Sequence, residues 1–309
     1  MQAREIIIKD TKLVVRNLDR DDLNQVCALS MLHGWTSSSE DIQVMFDTQP
    51  KAFIGIFRED NKLVGHIAVF LLDDKRAYIG IVVVSKVMQG YGLGKILMAE
   101  ATDRVGARDV SLDSTSDAQS FYRKMGFRNS PIQTLSFTGK RKRIENLEEL
   151  SPNVIIKDVK NKADISQVFD YDMKICKFVR HKHLQKWLAP SPFCFSHVAF
   201  EKQDGRCVGY VSARKLDAGI YKLQPLYADS VEIATALFQH LVTNCPFGDD
   251  VMFRLYPTKQ AMPHAREFSR LNGLHEEGAV SDFRMVKGQD EVIDWRCVYS
   301  TSNTTSTAL

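Results

Sequence analysis

Apolar and polar positions alternate along the chain in two distinct periods. Leu13-Val14-Val15-Arg16 is a short strand-like run. After a polar turn, Asp22-Leu23-Asn24-Gln25-Val26 opens an acid-capped helix. Asn61-Lys62-Leu63-Val64-Gly65-His66-Ile67 is a polar turn leading into a strand, as in a hairpin. The densest apolar run, Tyr78 to Val84, is followed by a glycine-rich stretch. Ile96, Leu97, Ala101 and Val105 then recur at helical spacing, which predicts a helix with one buried face. Val110 to Leu112 reads as a strand and Ser116 to Met125 as a helix, closed by Gly126 at its C-cap and Phe127 starting a strand.

The same order of elements recurs about 145 residues later. Ile155-Ile156-Lys157 and Asp164-Ile165-Ser166-Gln167-Val168 repeat the opening. Gly205-Arg206-Cys207-Val208-Gly209-Tyr210-Val211 repeats the hairpin, and Phe268-Ser269-Arg270-Leu271-Asn272-Gly273-Leu274 repeats the helix end. A chain of 309 residues suits two domains of about 150 residues each. The expected boundaries are 1–140, a linker at 141–153 marked by the basic run Gly139 to Arg143 and by Ser151-Pro152, 154–288, and a C-terminal tail at 289–309 that is Ser/Thr-rich from Ser300 and expected to be disordered. Strands, helices and hairpins in each half predict an α/β fold of mixed α+β character, a mixed sheet flanked by helices.

Composition narrows the function by exclusion. A net charge of +3 is too small to argue for nucleic acid, and the basic run lacks interleaved aromatic residues. No apolar stretch approaches the about 20 residues of a membrane span. Met1 to Asp10 lacks the apolar core of a secretory signal. Cys27, Cys176, Cys194, Cys207, Cys245 and Cys297 form no C-x-x-C pair and no zinc-type spacing. They read as free thiols in a reducing, cytoplasmic compartment. No metal is expected.

The strongest chemical signal follows the apolar run: Ser85-Lys86-Val87-Met88-Gln89-Gly90-Tyr91-Gly92-Leu93-Gly94-Lys95. Glycines let a backbone approach a ligand closely, and the free amides at a helix start hold anions. Lys95 can add a cation. The spacing G-x-G-x-G is neither the dinucleotide G-x-G-x-x-G nor the P-loop, since Ile96 follows Gly94-Lys95. A bare strand-to-helix connection is the competing reading.

The loop also carries Q/R-x-x-G-x-G/A through Gln89, Gly92 and Gly94, and a second block carries Ala118, Tyr122 and Gly126-Phe127, with Thr115 where asparagine is usual. In these two motifs the chain resembles the GCN5-related N-acetyltransferase superfamily, and its paired halves look like the tandem acetyltransferases of the YitH type. Lys86 stands where that family often has proline. The resemblance is specific over about residues 53–127 and faint beyond.

The resemblance implies two tandem domains of that fold, each with a mixed, mostly antiparallel sheet. It implies acetyl-CoA as co-substrate, held by Gln89, Gly90, Tyr91, Gly92, Leu93, Gly94 and Lys95, by the strand Val82-Val83-Val84, and by Thr115. It also implies Tyr122 as the acid that protonates the departing sulfur. The reaction it implies is acetyl transfer to an amine, with a small molecule or amino-acid-like acceptor ahead of a protein N-terminus or lysine. A noncatalytic acyl-CoA sensor and a longer acyl donor, as in the glycine N-acyltransferases, are the alternatives. The base stays open among Glu40, Asp41, Asp73, Asp74, Asp113, His66 and ordered water. Trp35 is a candidate acceptor contact. The second half has no glycines in its matching stretch, carries Asp229 and Glu232 there, and places Ser269 opposite Tyr122. One acyl-CoA site per chain is therefore expected.

Overall fold

The computed structural model describes residues 2–34, 38–140, 142, 144, 153–216, 219–278, 282–290 and 292–301. Trp35, Ser151, Pro152 and most of the expected linker lie outside these. The chain divides into two compact units, Met1–Asp113 with Val286–Asp290, and Ser114–Met285 with Glu291–Asn303.

The first unit begins with β1 (Arg4–Ile8), β2 (Thr11–Asn17), α1 (Leu23–Met31) and α2 (Ser39–Thr48). β3 (Phe53–Arg58), β4 (Leu63–Leu71) and β5 (Arg76–Val84) follow as an antiparallel meander. α3 (Leu93–Val105) then crosses over to β6 (Asp109–Ser114), which is parallel to β5. β4 is apolar along nearly its whole length and is buried from Leu63 to Phe70. α3 buries Leu93, Leu97, Met98, Ala101 and Val105 and turns Lys95 outward. A helix with one apolar stripe owes its stability to that packing more than to propensity.

In the second unit, α4 (Gln119–Arg123) is shorter than the sequence predicts, because residues 116–118 form a turn. β7 (Arg128–Thr134) and β8 (Phe137–Lys140) follow. Next come β9 (Val154–Asp158), α5 (Lys162–Ser166), α6 (Phe169–Cys176), α7 (His181–Trp187), β10 (Cys194–Glu201), β11 (Cys207–Lys215) and β12 (Tyr221–Ala228). The chain closes with α8 (Val231–Asn244), β13 (Met252–Leu255), α9 (Met262–Asn272), β14 (His275–Glu276), β15 (Asp282–Lys287) and β16 (Val298–Ser300). α8 packs Leu237, Phe238, Leu241 and Val242 against Val211, Leu223 and Phe253 of the sheet and Phe268 of α9.

The strand orders are β1-β2-β3-β4-β5-β6-β15-β7 and β14-β8-β13-β12-β11-β10-β9, with β16 added to β12. Each half of the sequence thus lends a late strand to the other sheet. β8 pairs with β13 from Phe137↔Leu255 to Lys140↔Met252, and β15 stands between β6 and β7. β8 and β15 lie inside the expected bounds 1–140 and 154–288, and each pairs in the sheet built mainly from the other half. Ser300 and Thr301, expected in a disordered tail, are instead buried. No helix among the described residues is long and apolar enough to cross a membrane, and the six cysteines are free thiols.

Candidate active site

The site in the first unit starts with a fork in the sheet. β5 and β6 pair from Arg76↔Asp109 to Ile79↔Leu112 and no further, although β5 continues to Val84. At the fork the Tyr78 hydroxyl donates to Asp113 Oδ2 at 3.0 Å. On the other side of β5 the register jumps from Ala68↔Gly80 to His66↔Val83, so β5 carries one extra residue. That bulge includes Ile81 at φ 52°. A positive φ on a β-branched residue is a genuine outlier. Ile81 is buried, and the packing around it holds that conformation. The consequence is a stretch, Ile81–Val84, with no strand beside it on the β6 side among the described residues. Val83 is buried, while Val82 and Val84 are half-buried. Unpaired strand backbone of this kind accepts an extended amide-bearing ligand as an added strand.

A single turn at Lys86–Met88 leads from β5 into the glycine loop. Gly90 and Gly92 have φ of 80° and 85°, where other residues are strained. A Cβ at either would meet nothing within 4 Å, so the loop faces open space. Gly92 is the N-cap of α3. The first amides of that helix have no intrahelical partner and carry its partial positive charge. Leu93 is buried and anchors the turn, Gly94 is half-buried one residue on, and Lys95 is exposed. Tyr91 is exposed under the Lys9 ammonium, 4.3 Å from the ring centroid. The Gln89 side chain turns back and donates to the Val84 carbonyl at 3.2 Å, tying the loop to the strand end. The Gln89 bond thus joins the open strand edge Val82–Val84 to the glycine loop Gln89–Lys95.

Among the proton-acceptor candidates, three of the acids have structural positions. Asp73 pairs with Arg76 in the β4–β5 turn, Asp113 accepts from Tyr78, and Asp41 lies in the first turn of α2 below the Ser38 cap. His66 stands in register with Val83 beside the bulge and is fully buried. Its Nε2 lies 3.5 Å from Ser30 Oγ, and the Ile81 backbone lies within hydrogen-bonding reach of the ring. Burial, with His33 nearby, drives its pKa down to about 3, against the pull of the Ile81 backbone. A base works best with a pKa near the working pH, so this imidazole is a neutral hydrogen-bonding group and not a proton store.

Thr115 and Tyr122 belong to the second unit. The Thr115 hydroxyl bonds the Asp117 carboxylate and holds it below its usual pKa, while Ser114 Oγ donates to the Thr115 carbonyl at 2.8 Å. Tyr122, near the end of α4, is buried, with its ring edge-on to Phe121 and Phe127. Burial pushes its phenol pKa up, so it stays protonated.

The second half repeats the fork but fills it. β12 and β13 pair only from Tyr221↔Phe253 to Leu223↔Leu255. Past that point β16 pairs with β12 at Leu226↔Ser300 and Tyr227↔Val298. Its other side is stitched on: the Tyr256 amide donates to Ser300 Oγ at 2.8 Å and the Thr301 amide to the Tyr256 carbonyl at 3.0 Å. The chain's own strand thus takes the place that stays open in the first half, and sequence reasoning missed it. The counterparts of Ser30 and His66 are Asp172 and Tyr210. Asp172 is locked by the buried Arg180, with Nε–Oδ1 at 2.8 Å, and by the Tyr210 hydroxyl at 2.5 Å. Ser269, opposite Tyr122, donates to the Ala265 carbonyl of its own helix. Asp229 is held by Tyr171 and Arg206.

Known proteins agree with this reading of the fold. Models of the acetyltransferase (GNAT) domain match residues 30–140 and, separately, residues 168–299. The chain belongs to the GCN5-related N-acetyltransferase superfamily, as a tandem of two such domains, and is an N-acyltransferase. It is 24% identical over 259 residues to a holothin acyltransferase of Pseudoalteromonas sp. (strain SANK 73390), covering 83% of this chain and 81% of that protein. A putative acetyltransferase from Pyrococcus horikoshii superposes with a TM-score of 0.73 at 17% identity, covering 96% of each chain. A tandem GNAT protein from the clavulanic acid biosynthesis pathway superposes with a TM-score of 0.63 at 13% identity, covering 90% of this chain and 100% of its own.

Proposed function

We propose that the first half binds acetyl-CoA and that the chain transfers its acetyl group to the amine of a small molecule. The open fork between β5 and β6, leading directly into the glycine loop, is the observation that carries this. The pyrophosphate would lie on the amides of Gly90 to Lys95. The pantetheine amides would pair along Val82–Val84. The bulge at Ile81 breaks the ladder there, and a strand amide freed by it would stabilise the oxyanion of the thioester carbonyl.

The reaction needs a neutral amine to attack the carbonyl carbon and a proton for the thiolate that leaves. We assign the second role to Tyr122. A phenol with a reference pKa of about 10 outlasts a thiol of about 8.5 as a proton source, and burial raises it further. With Asp73 and Asp113 engaged and His66 too weakly basic, we assign the amine proton to ordered water, ahead of Glu40, Asp41 and Asp74. A relative named for acyl transfer to holothin and a structural neighbour from the clavulanic acid pathway favour a small-molecule acceptor over a protein.

The test is a screen of amine acceptors that follows free CoA released from acetyl-CoA. Release that depends on an added small amine, with the acetylated amine seen by mass spectrometry, supports the reading. Turnover only with peptides, or only with longer acyl-CoA donors, overturns the corresponding part of it.

A further inference from the structure

Three groups outside the acyl-transfer site converge on one point in the second unit. Asp158 ends β9, His197 lies directly across from it on β10, and His240 lies in the last turns of α8. His197 Nδ1 is 2.9 Å from His240 Nδ1 and 3.2 Å from Asp158 Oδ1, and the last two are 4.0 Å apart. The three ligand atoms therefore lie close enough together to converge on one cation after small side-chain adjustments.

Hydrogen bonding alone serves this arrangement poorly. A single proton on His197 Nδ1 faces two acceptors, and a proton on His240 Nδ1 leaves the His197 lone pair against a carboxylate. A cation at the centre meets all three lone pairs at once. Behind His197, its Nε2 lies 3.3 Å from Cys245 Sγ. A proton on that nitrogen, directed at sulfur, leaves Nδ1 free to ligate.

We propose that Asp158, His197 and His240 bind one divalent transition-metal ion of the zinc type. β9 is the edge strand of its sheet, and the ion ties that edge and the end of α8 to β10. His197 is nearly inaccessible, whereas 47% of the Asp158 side chain is exposed, which leaves room for water as a further ligand. The ligands come from residues 158, 197 and 240, so no local spacing marks them in the sequence. This departs from the sequence-based expectation of no metal.

The test uses untagged full-length chain, stripped with chelator and dialysed. Zn²⁺ is titrated by calorimetry, and Co²⁺ is added as a spectroscopic probe. The expected result is one Zn²⁺ per chain, a Zn²⁺-dependent rise in melting temperature, and Co²⁺ bands more intense than those of the aqueous ion. His240→Gln, at a partly exposed position, and Asp158→Asn should each weaken binding at least tenfold and abolish the rise while circular dichroism stays unchanged. No saturable binding overturns the proposal. So does Zn²⁺ affinity that is unchanged in both variants.

Discussion

Tyr122, His66 and the Asp172–Arg180 pair carry testable consequences. Tyr122→Phe keeps the ring against Phe121 and Phe127 and removes only the hydroxyl. Acetyl-CoA affinity should be little changed, while the single-turnover rate falls by about 10²–10⁴-fold, the range for loss of a general acid. A wild-type single-turnover rate would leave water as the proton donor. His66 is neutral in the folded chain with its pKa lowered to about 3 from 6.5. Its unfolded form therefore takes up a proton first as pH falls. The stability it contributes is full above pH 6.5 and is lost on the way down toward pH 3, at up to about 1.4 kcal/mol per pH unit. Urea unfolding at pH 7, 6, 5 and 4 should show a shallower decline in His66→Phe than in wild type, and parallel curves would contradict this. Asp172→Asn leaves Arg180 buried without its counter-charge. A loss of about 3–5 kcal/mol in unfolding free energy is expected, measured by the same method.

Among the elements, the glycine loop and β16 make opposite claims about their forks. Gly92→Val places a branched side chain at φ 85° and into the open space over the loop. Backbone strain of about 1–2 kcal/mol and steric block should together lower acetyl-CoA affinity by more than tenfold without unfolding the chain. Truncation after Cys297 removes the buried Val298–Thr301 segment and its bonds to Tyr256. The melting temperature should fall by several degrees, and an unchanged value would show that β16 is not part of the folded core. The loop was legible because a β-branched run, three glycines and a helical stripe each leave a compositional mark. The fork was not. Ile81 at positive φ looks like any strand isoleucine, and nothing in Val298-Tyr299-Ser300 says which strand it will join. Hydrophobic alternation chooses a face of a sheet and leaves open which sheet, so the placement of β8 and β15 was also unreadable. His66 was visible as one of several candidates, and only its burial beside the bulge shows that it is a neutral group.

Taken as a whole, the molecule is a duplicated fold with unequal halves. One fork is open and leads into the glycine loop. The other is filled by β16, its loop has no glycines, and its acids at Asp229 and Glu232 would repel phosphate. The central claim is that the chain has a single acyl-donor site and that the first half builds it. Calorimetric titration of acetyl-CoA into the full chain and into Gly92→Val tests this most directly. The account predicts one site per chain in wild type and none at the same concentrations in the variant. Two sites in wild type, or one site of undiminished affinity in Gly92→Val, would contradict it.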